Sequence, residues 1–151
     1  MNNSKTAFFA ILFVLAGITT ADASTSPTVV HRLSVSATGS KMPMGSDGMM
    51  TGAMNGVANG AFVMNSKLGY LCYSIMTKHL TNITEAHIQV TSSEKDVVLF
   101  RVAKLDMMTK SCMKVAPKIL TDMLAHPGRY SLMVHTKSFP DGAVMGSLKL
   151  A

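Results

Sequence analysis

The sequence predicts an all-β chain, an antiparallel Greek-key sandwich with one short helix. Three observations carry that prediction. Apolar and polar residues alternate over short segments, turn residues separate those segments at short spacing, and one stretch, opened by Pro117, has helical spacing. No repeated strand–helix–strand unit interrupts the pattern.

Lys5 precedes an apolar run from Ala7 to Ile18, and Ala21-Asp22-Ala23 has the small-x-small form of a signal-peptidase site. The run is shorter than the roughly 20 residues that a bilayer crossing needs, and no cysteine follows it to take a lipid. The expectation is a signal peptide over residues 1–23 and a mature domain over 24–151. That domain would be periplasmic or secreted, without a transmembrane anchor.

Val29 to Ala37 alternates, with Val29, Leu33, Val35 and Ala37 in phase, and forms the first expected strand. His31 shares that phase and reads as an edge residue or a satisfied core group. Residues 38–59 are rich in Gly, broken by Pro43, and carry Met42, Met44, Met49, Met50 and Met54, so a long exposed loop is expected. Gly60 to Met64 is the second strand. Leu68 to Met76 is the third, central because it is apolar on both faces, with Cys72 facing alongside Tyr70, Ser74 and Met76.

Thr77 to Glu85 reads as a polar connection; its Asn82-Ile83-Thr84 is a glycosylation sequon only in a eukaryotic host. In the fourth strand, Ala86 to Val90, Ala86 and Ile88 face one way and His87 and Gln89 the other. Val97 to Val102 is the fifth, and Lys104 to Lys114 a polar excursion holding Cys112. Pro117 opens the helix, whose apolar face is Ile119, Leu120, Met123 and Leu124, and Pro127-Gly128 ends it. From Tyr130 to Leu148 come a strand, a Pro-Asp-Gly turn and a last strand. Leu132 and Val134 point to the core there, while Met133 and His135 occupy the other face.

A net charge of +6 and a pI near 9.5 invite a nucleic-acid reading. The basic residues are dispersed, without the clustered stripe and interleaved aromatics that such binding needs, so nucleic acid is excluded as a partner. The charge serves solubility, with weak attraction to acidic envelope surfaces. Cys72 and Cys112, in a chain expected to be exported, suggest one structural disulfide. It would close a loop of about 40 residues, worth roughly 4 kcal/mol in the chain-entropy view. Cys-x-x-Cys, the mark of a redox pair, is absent.

Fourteen methionines with no tryptophan is unusual. Met-x-Met and Met-Met spacing in the loop resembles the thioether clusters that hold soft Cu(I). A sticky flexible loop and a sacrificial oxidation surface are the alternatives.

Ala86-His87-Ile88, Tyr130 to Thr136 (YSLMVHT), Phe139 to Val144 (FPDGAV) and Gly146-Ser147-Leu148 together resemble the CHRD domain, a family that includes chordin and many exported bacterial proteins. Its pattern is approximately A-H-I-H, Y-x-N-V-H-T, F-P-x-G and R-G-Q-L. The resemblance implies an immunoglobulin-like or superoxide-dismutase-like β-sandwich, no established catalysis, and an interest in His87 and His135. The sequence departs from the pattern at Gln89, where a histidine is expected, at Met133, where an asparagine is, and at Met145, where an arginine is. One imidazole is lost and two thioethers are gained close by.

Two readings follow. In one, His87 and His135, with Met133, Met145 and the loop residues Met42, Met44, Met49 and Met50, form a mixed nitrogen and sulfur site for copper. In the other, both histidines are structural and the chain is a secreted module that binds an envelope or extracellular protein. Zinc fits less well, because a disulfide leaves no thiolate and no compact His-carboxylate cluster appears. Hydrolytic motifs are missing, Glu85, Glu94 and Asp141 fall in expected turns, and superoxide dismutation needs a fuller histidine set. No enzymatic activity is expected.

Overall fold

The computed structural model describes residues 30–49, 51–90, 97–101 and 108–151. The expected signal peptide, Met50 and Glu94 lie outside these. The strands are β1 (His31–Thr38), β2 (Val57–Asn65), β3 (Tyr70–Lys78), β4 (Ile83–Val90), β5 (Val97–Arg101), β6 (Met108–Lys114), β7 (Tyr130–Thr136), β8 (Val144–Ser147) and β9 (Lys149–Leu150), with the helix α1 (Pro117–Ala125) between β6 and β7. Pairing runs β5-β4-β7-β8-β1-β2-β3-β6, with β9 on β1, and every pair is antiparallel. The all-β architecture with one short helix is as the sequence predicts.

Loop lengths force this sheet to curl. In a flat sheet β3 and β4 would lie five strand spacings apart, roughly 24 Å. Only residues 79–82 join them, and five residue steps reach about 18 Å at most. The sheet therefore rolls until its halves, β5-β4-β7-β8 and β1-β2-β3-β6, enclose one core. Leu33, Val35, Phe62, Leu71 and Ile75 from one half meet Ile88, Leu132, Val134 and Val144 from the other, and α1 adds Leu120 and Met123.

The halves meet at a narrow seam, where β8 gives β1 one register pair, Thr38 with Met145, and β9 adds Ser34 with Lys149 and Leu33 with Leu150. A Cβ on the next residue, Gly146, would lie 2.4 Å from the Ser36 carbonyl oxygen and 2.8 Å from Ala37 Cα. Only glycine lets the two backbones approach so closely.

The structure corrects several expectations. The expected loop is shorter than 38–59, because Thr38 ends β1 and Val57 already belongs to β2. Lys104 to Lys114 is no plain excursion: Met108–Lys114 is β6, paired with Tyr70 to Met76 of β3. The connection after β3 shrinks to four residues, which moves Glu85 from a turn into β4. Strand β3 has neighbours on both sides, yet its outward Tyr70 and Met76 are exposed, so its second apolar face meets solvent rather than a second layer.

Cys72 and Cys112 form the expected disulfide. They are directly opposed in the β3–β6 register, with Cα atoms 4.0 Å apart and both side chains on the outer face. Among the described residues no helix is long and apolar enough to cross a membrane.

A polar cluster ties α1 to β7. Tyr130 is buried at the start of β7 and its hydroxyl donates to the Asp122 carboxylate, which also accepts from His126 Nδ1 at 3.1 Å and lies 3.7 Å from Arg129 Nη1. The Tyr130 hydrogen bond, aided by His126 and Arg129 against some desolvation, holds the Asp122 carboxyl below its usual range. Burial, then the bond to Asp122, pushes the Tyr130 phenol up to about 12. Unfolded, that phenol ionises near 10.0, so its stabilising contribution is intact below pH 10 and fades as pH rises through 12. The carboxylate contribution behaves oppositely and fades as pH falls below 3.8. Tyr130→Phe should therefore unfold at lower urea than the unaltered chain at pH 7, and the gap should narrow between pH 10 and 12. A gap constant across that window would contradict the assignment.

Candidate functional site

Register assembles the site from three neighbouring strands. Across β4 and β7, Glu85 pairs with His135, His87 with Met133 and Gln89 with Ser131; across β7 and β8, Met133 pairs with Met145 and Ser131 with Ser147. Because side chains alternate, all of these lie on the outer face, while Ala86, Ile88, Leu132, Val134 and Val144 fill the core. The outer face here is nevertheless not a wet one. His87 is 5% exposed, Gln89 2%, Ser131 2% and Met133 7%, so β7 is buried on both faces as far as His135, which is half-buried.

Burial demands partners for the polar groups. The turn after β7 supplies one: Phe139 N bonds back to Thr136, Gly142 N bonds to Phe139 O, and the Pro140 carbonyl faces His135 Nδ1 at 2.7 Å. A carbonyl only accepts, so Nδ1 of His135 carries the hydrogen and, in the neutral ring, Nε2 carries the lone pair. That lone pair faces His87, whose Nε2 is 3.4 Å away, with the rings edge to face. On the far side of His87, Nδ1 lies 3.7 Å from Glu85 Oε1, an arrangement that favours a hydrogen on Nδ1 and a lone pair on Nε2. The Gln89 carboxamide, 3.1 Å from His87 Nε2, serves either state of that nitrogen: its oxygen accepts from an N–H, and its nitrogen, turned over, donates to a lone pair.

The Met-rich loop reaches this site at one point. Gly142, at φ +134°, leaves room that the Met42 side chain takes. A Cβ placed there would meet Met42 Cε at 2.4 Å, Met42 Sδ at 3.1 Å and Met133 Sδ at 3.3 Å, so two thioethers flank one glycine. The far end of the loop is pinned to the same turn by Ala53 N donating to Ala143 O at 2.7 Å.

Of the sequence-predicted residues, His87, His135, Met133 and Met145 thus share one patch, and Met42 joins it. Met42 is a correction to the exposed-loop expectation, since it is 7% exposed. Met44 and Met49 stay in solvent, at 68% and 69%. Sequence reasoning missed Glu85, whose signal was its place two residues before His87 in one alternating run, and the Pro140 carbonyl, which no side-chain motif announces. Among the described residues no group of three or more His, Cys, Asp or Glu is arranged to hold a metal ion. What the patch offers is a pair of imidazoles with thioethers beside it.

A family model described as the CHRD domain matches residues 33–148. No curated protein and no solved structure matches.

Gly142→Ala tests the convergence of loop and strand. The positive φ alone should cost about 1–3 kcal/mol, and the new methyl should expel Met42. Under dilute peroxide the unaltered chain should form sulfoxide first at Met44 and Met49 and late at Met42, as mapped by peptide mass spectrometry. In the variant Met42 should oxidise with the exposed pair; continued protection would show that it is not held at Gly142.

Proposed function

The chain belongs to the CHRD-domain family, and from that premise we propose that it is an exported, non-enzymatic protein that binds copper as Cu(I) through His87 and His135, with thioether support from Met133, Met42 and Met145. The observation that carries this reading is the Nε2 to Nε2 distance of 3.4 Å. That is long for a hydrogen bond between ring nitrogens. It suits two imidazoles on one ion, since metal–nitrogen bonds near 2.0–2.1 Å at a tetrahedral angle set the nitrogens about 3.4 Å apart.

The surroundings support the same chemistry. His135 hands its other N–H to a backbone carbonyl and His87 turns its own toward a carboxylate, the outer partners that metal-bound histidines commonly have. Glu85 also supplies negative charge on the far side of His87, across the ring from the proposed cation. Thioether sulfur is a poor ligand for hard cations and a good one for Cu(I), so the methionines bias the choice of metal. Replacement of a family histidine by Gln89 leaves an amide that orients His87 rather than a further imidazole ligand. Export is part of the proposal, resting on the apolar N-terminal run and the Ala21-Asp22-Ala23 site.

A second reading, an interaction module for an acidic partner protein, is favoured by one observation. The strands β1, β2, β3 and β6 contain no carboxylate, while Arg32, Lys78, Lys110 and Lys114 are carried there and the disulfide lies among them in a shallow depression of about 570 Å³. That face lies away from the histidines, so the two readings are compatible.

Anaerobic titration against a chromogenic Cu(I) chelator decides the first reading. The purified chain should hold one Cu(I), and His87→Asn and His135→Asn should each lose affinity by more than the roughly 10- to 100-fold that removal of an outer partner costs. Asparagine at 135 retains an N–H for Pro140, so a purely structural histidine would be rescued by it, with unfolding curves as the control. No uptake by the unaltered chain, or unchanged binding in both variants, would sink the copper reading.

A further inference from the structure

Building on that reading, we propose that Met44 and Met49 form the entry of a thioether route by which Cu(I) reaches the buried His87 and its partner His135, through Met42 and Met133. His87 is almost wholly buried, so an ion arriving from solvent needs a way in. The loop carries thioethers from solvent to the edge of the site, where Met42 and Met133 meet at Gly142.

Its tip is closed on itself: Gly45 N donates to Met49 O at 2.8 Å and Thr51 Oγ1 to Pro43 O at 2.6 Å, which sets Met49 beside the residue that follows Met44. Both thioethers at the tip are solvent-exposed. The chain at Met42 is extended, with φ −67° and ψ 145°, so Met44 to Met42 is one two-residue step of about 6.8 Å, within the sweep of two unbranched side chains. Met42 is buried and shares Gly142 with Met133, and Met133 stands directly across from His87 in the β4–β7 register. Exposure thus falls from the tip, at Met44 and Met49, to Met42, Met133 and His87, while the donor along the loop stays the same.

Each transfer along the loop exchanges one copper–sulfur bond for the next, and the last adds the two imidazole nitrogens while Met42 and Met133 stay bound. Copper remains Cu(I) throughout, and no proton or electron moves. One or two thioethers at the exposed tip suit a path, and two imidazoles joined to thioethers suit its end, so the ion runs downhill.

Anaerobic stopped-flow tests the route, with Cu(I) delivered as its bicinchoninate complex and loss of that complex followed by absorbance. Met44→Leu/Met49→Leu should reach the same final occupancy with the same affinity as the unaltered chain, but load more slowly by about tenfold. Met76→Leu/Met108→Leu, removing two exposed methionines that pair on the outer face of β3 and β6, should load at the normal rate. An unchanged rate in the loop variant, or equal slowing in the β3–β6 variant, overturns the route and leaves the site standing. Lost affinity in the loop variant makes Met44 and Met49 ligands instead and also overturns it. No uptake by the unaltered chain overturns site and route together.

Discussion

The structure depends on a close approach of two backbones. β8 itself shares one register pair with β1, and the adjacent residue, Gly146, lies against Ser36 and Ala37 with no side chain between. A larger residue there would push β8 outward, and β7 with it. The core fills only because the sheet bends round on itself at this line, bringing Leu33 and Phe62 against Leu132 and Val134. The four-residue link from β3 to β4 then follows as the shortest path across the closed structure. A hydrophobic core drawn from both halves and a seam without side chains are therefore one constraint seen twice.

Strand β7 feels that constraint most. Its inner face is in the core, and its outer face is covered as well, which is unusual for a strand carrying Ser131, His135 and Thr136. In such surroundings a polar group without a partner is costly, so the histidines are held by specific neighbours: the Pro140 carbonyl for His135, and Glu85 and Gln89 for His87. The outcome is a rigid pair of ring nitrogens rather than two solvated side chains. Rigidity of this kind fits the proposed copper site, because donors already held near coordination distance lose little freedom when an ion arrives.

Much of the fold was legible because it is encoded locally. Alternation marked β1, β2, β3, β4, β5 and β7, the proline marked α1, and the motifs from Tyr130 to Leu148 pointed to the family. Strand β6 escaped because MTKSCMK has no buried apolar phase; it is a strand by virtue of pairing with β3, and that partner is distant in sequence. Of the candidate site, His87, His135, Met133 and Met145 could be grouped from the motifs alone. The burial of Met42 could not, since it depends on a left-handed glycine a hundred residues away. Glu85 was misplaced for a simpler reason: a polar stretch looks like a turn until one knows that its strand has begun.

The disulfide has a topological consequence. Cys72 and Cys112 are 40 residues apart in sequence, and the interval contains β4 and β5, hence Glu85, His87 and Gln89. A single backbone cut anywhere within that interval produces two chains that remain covalently one molecule. In the intact sheet the two sides of such a cut have separate neighbours, β4 beside β7 and β3 beside β2. The histidine pair thus stays within one covalent molecule after any single cut in that interval.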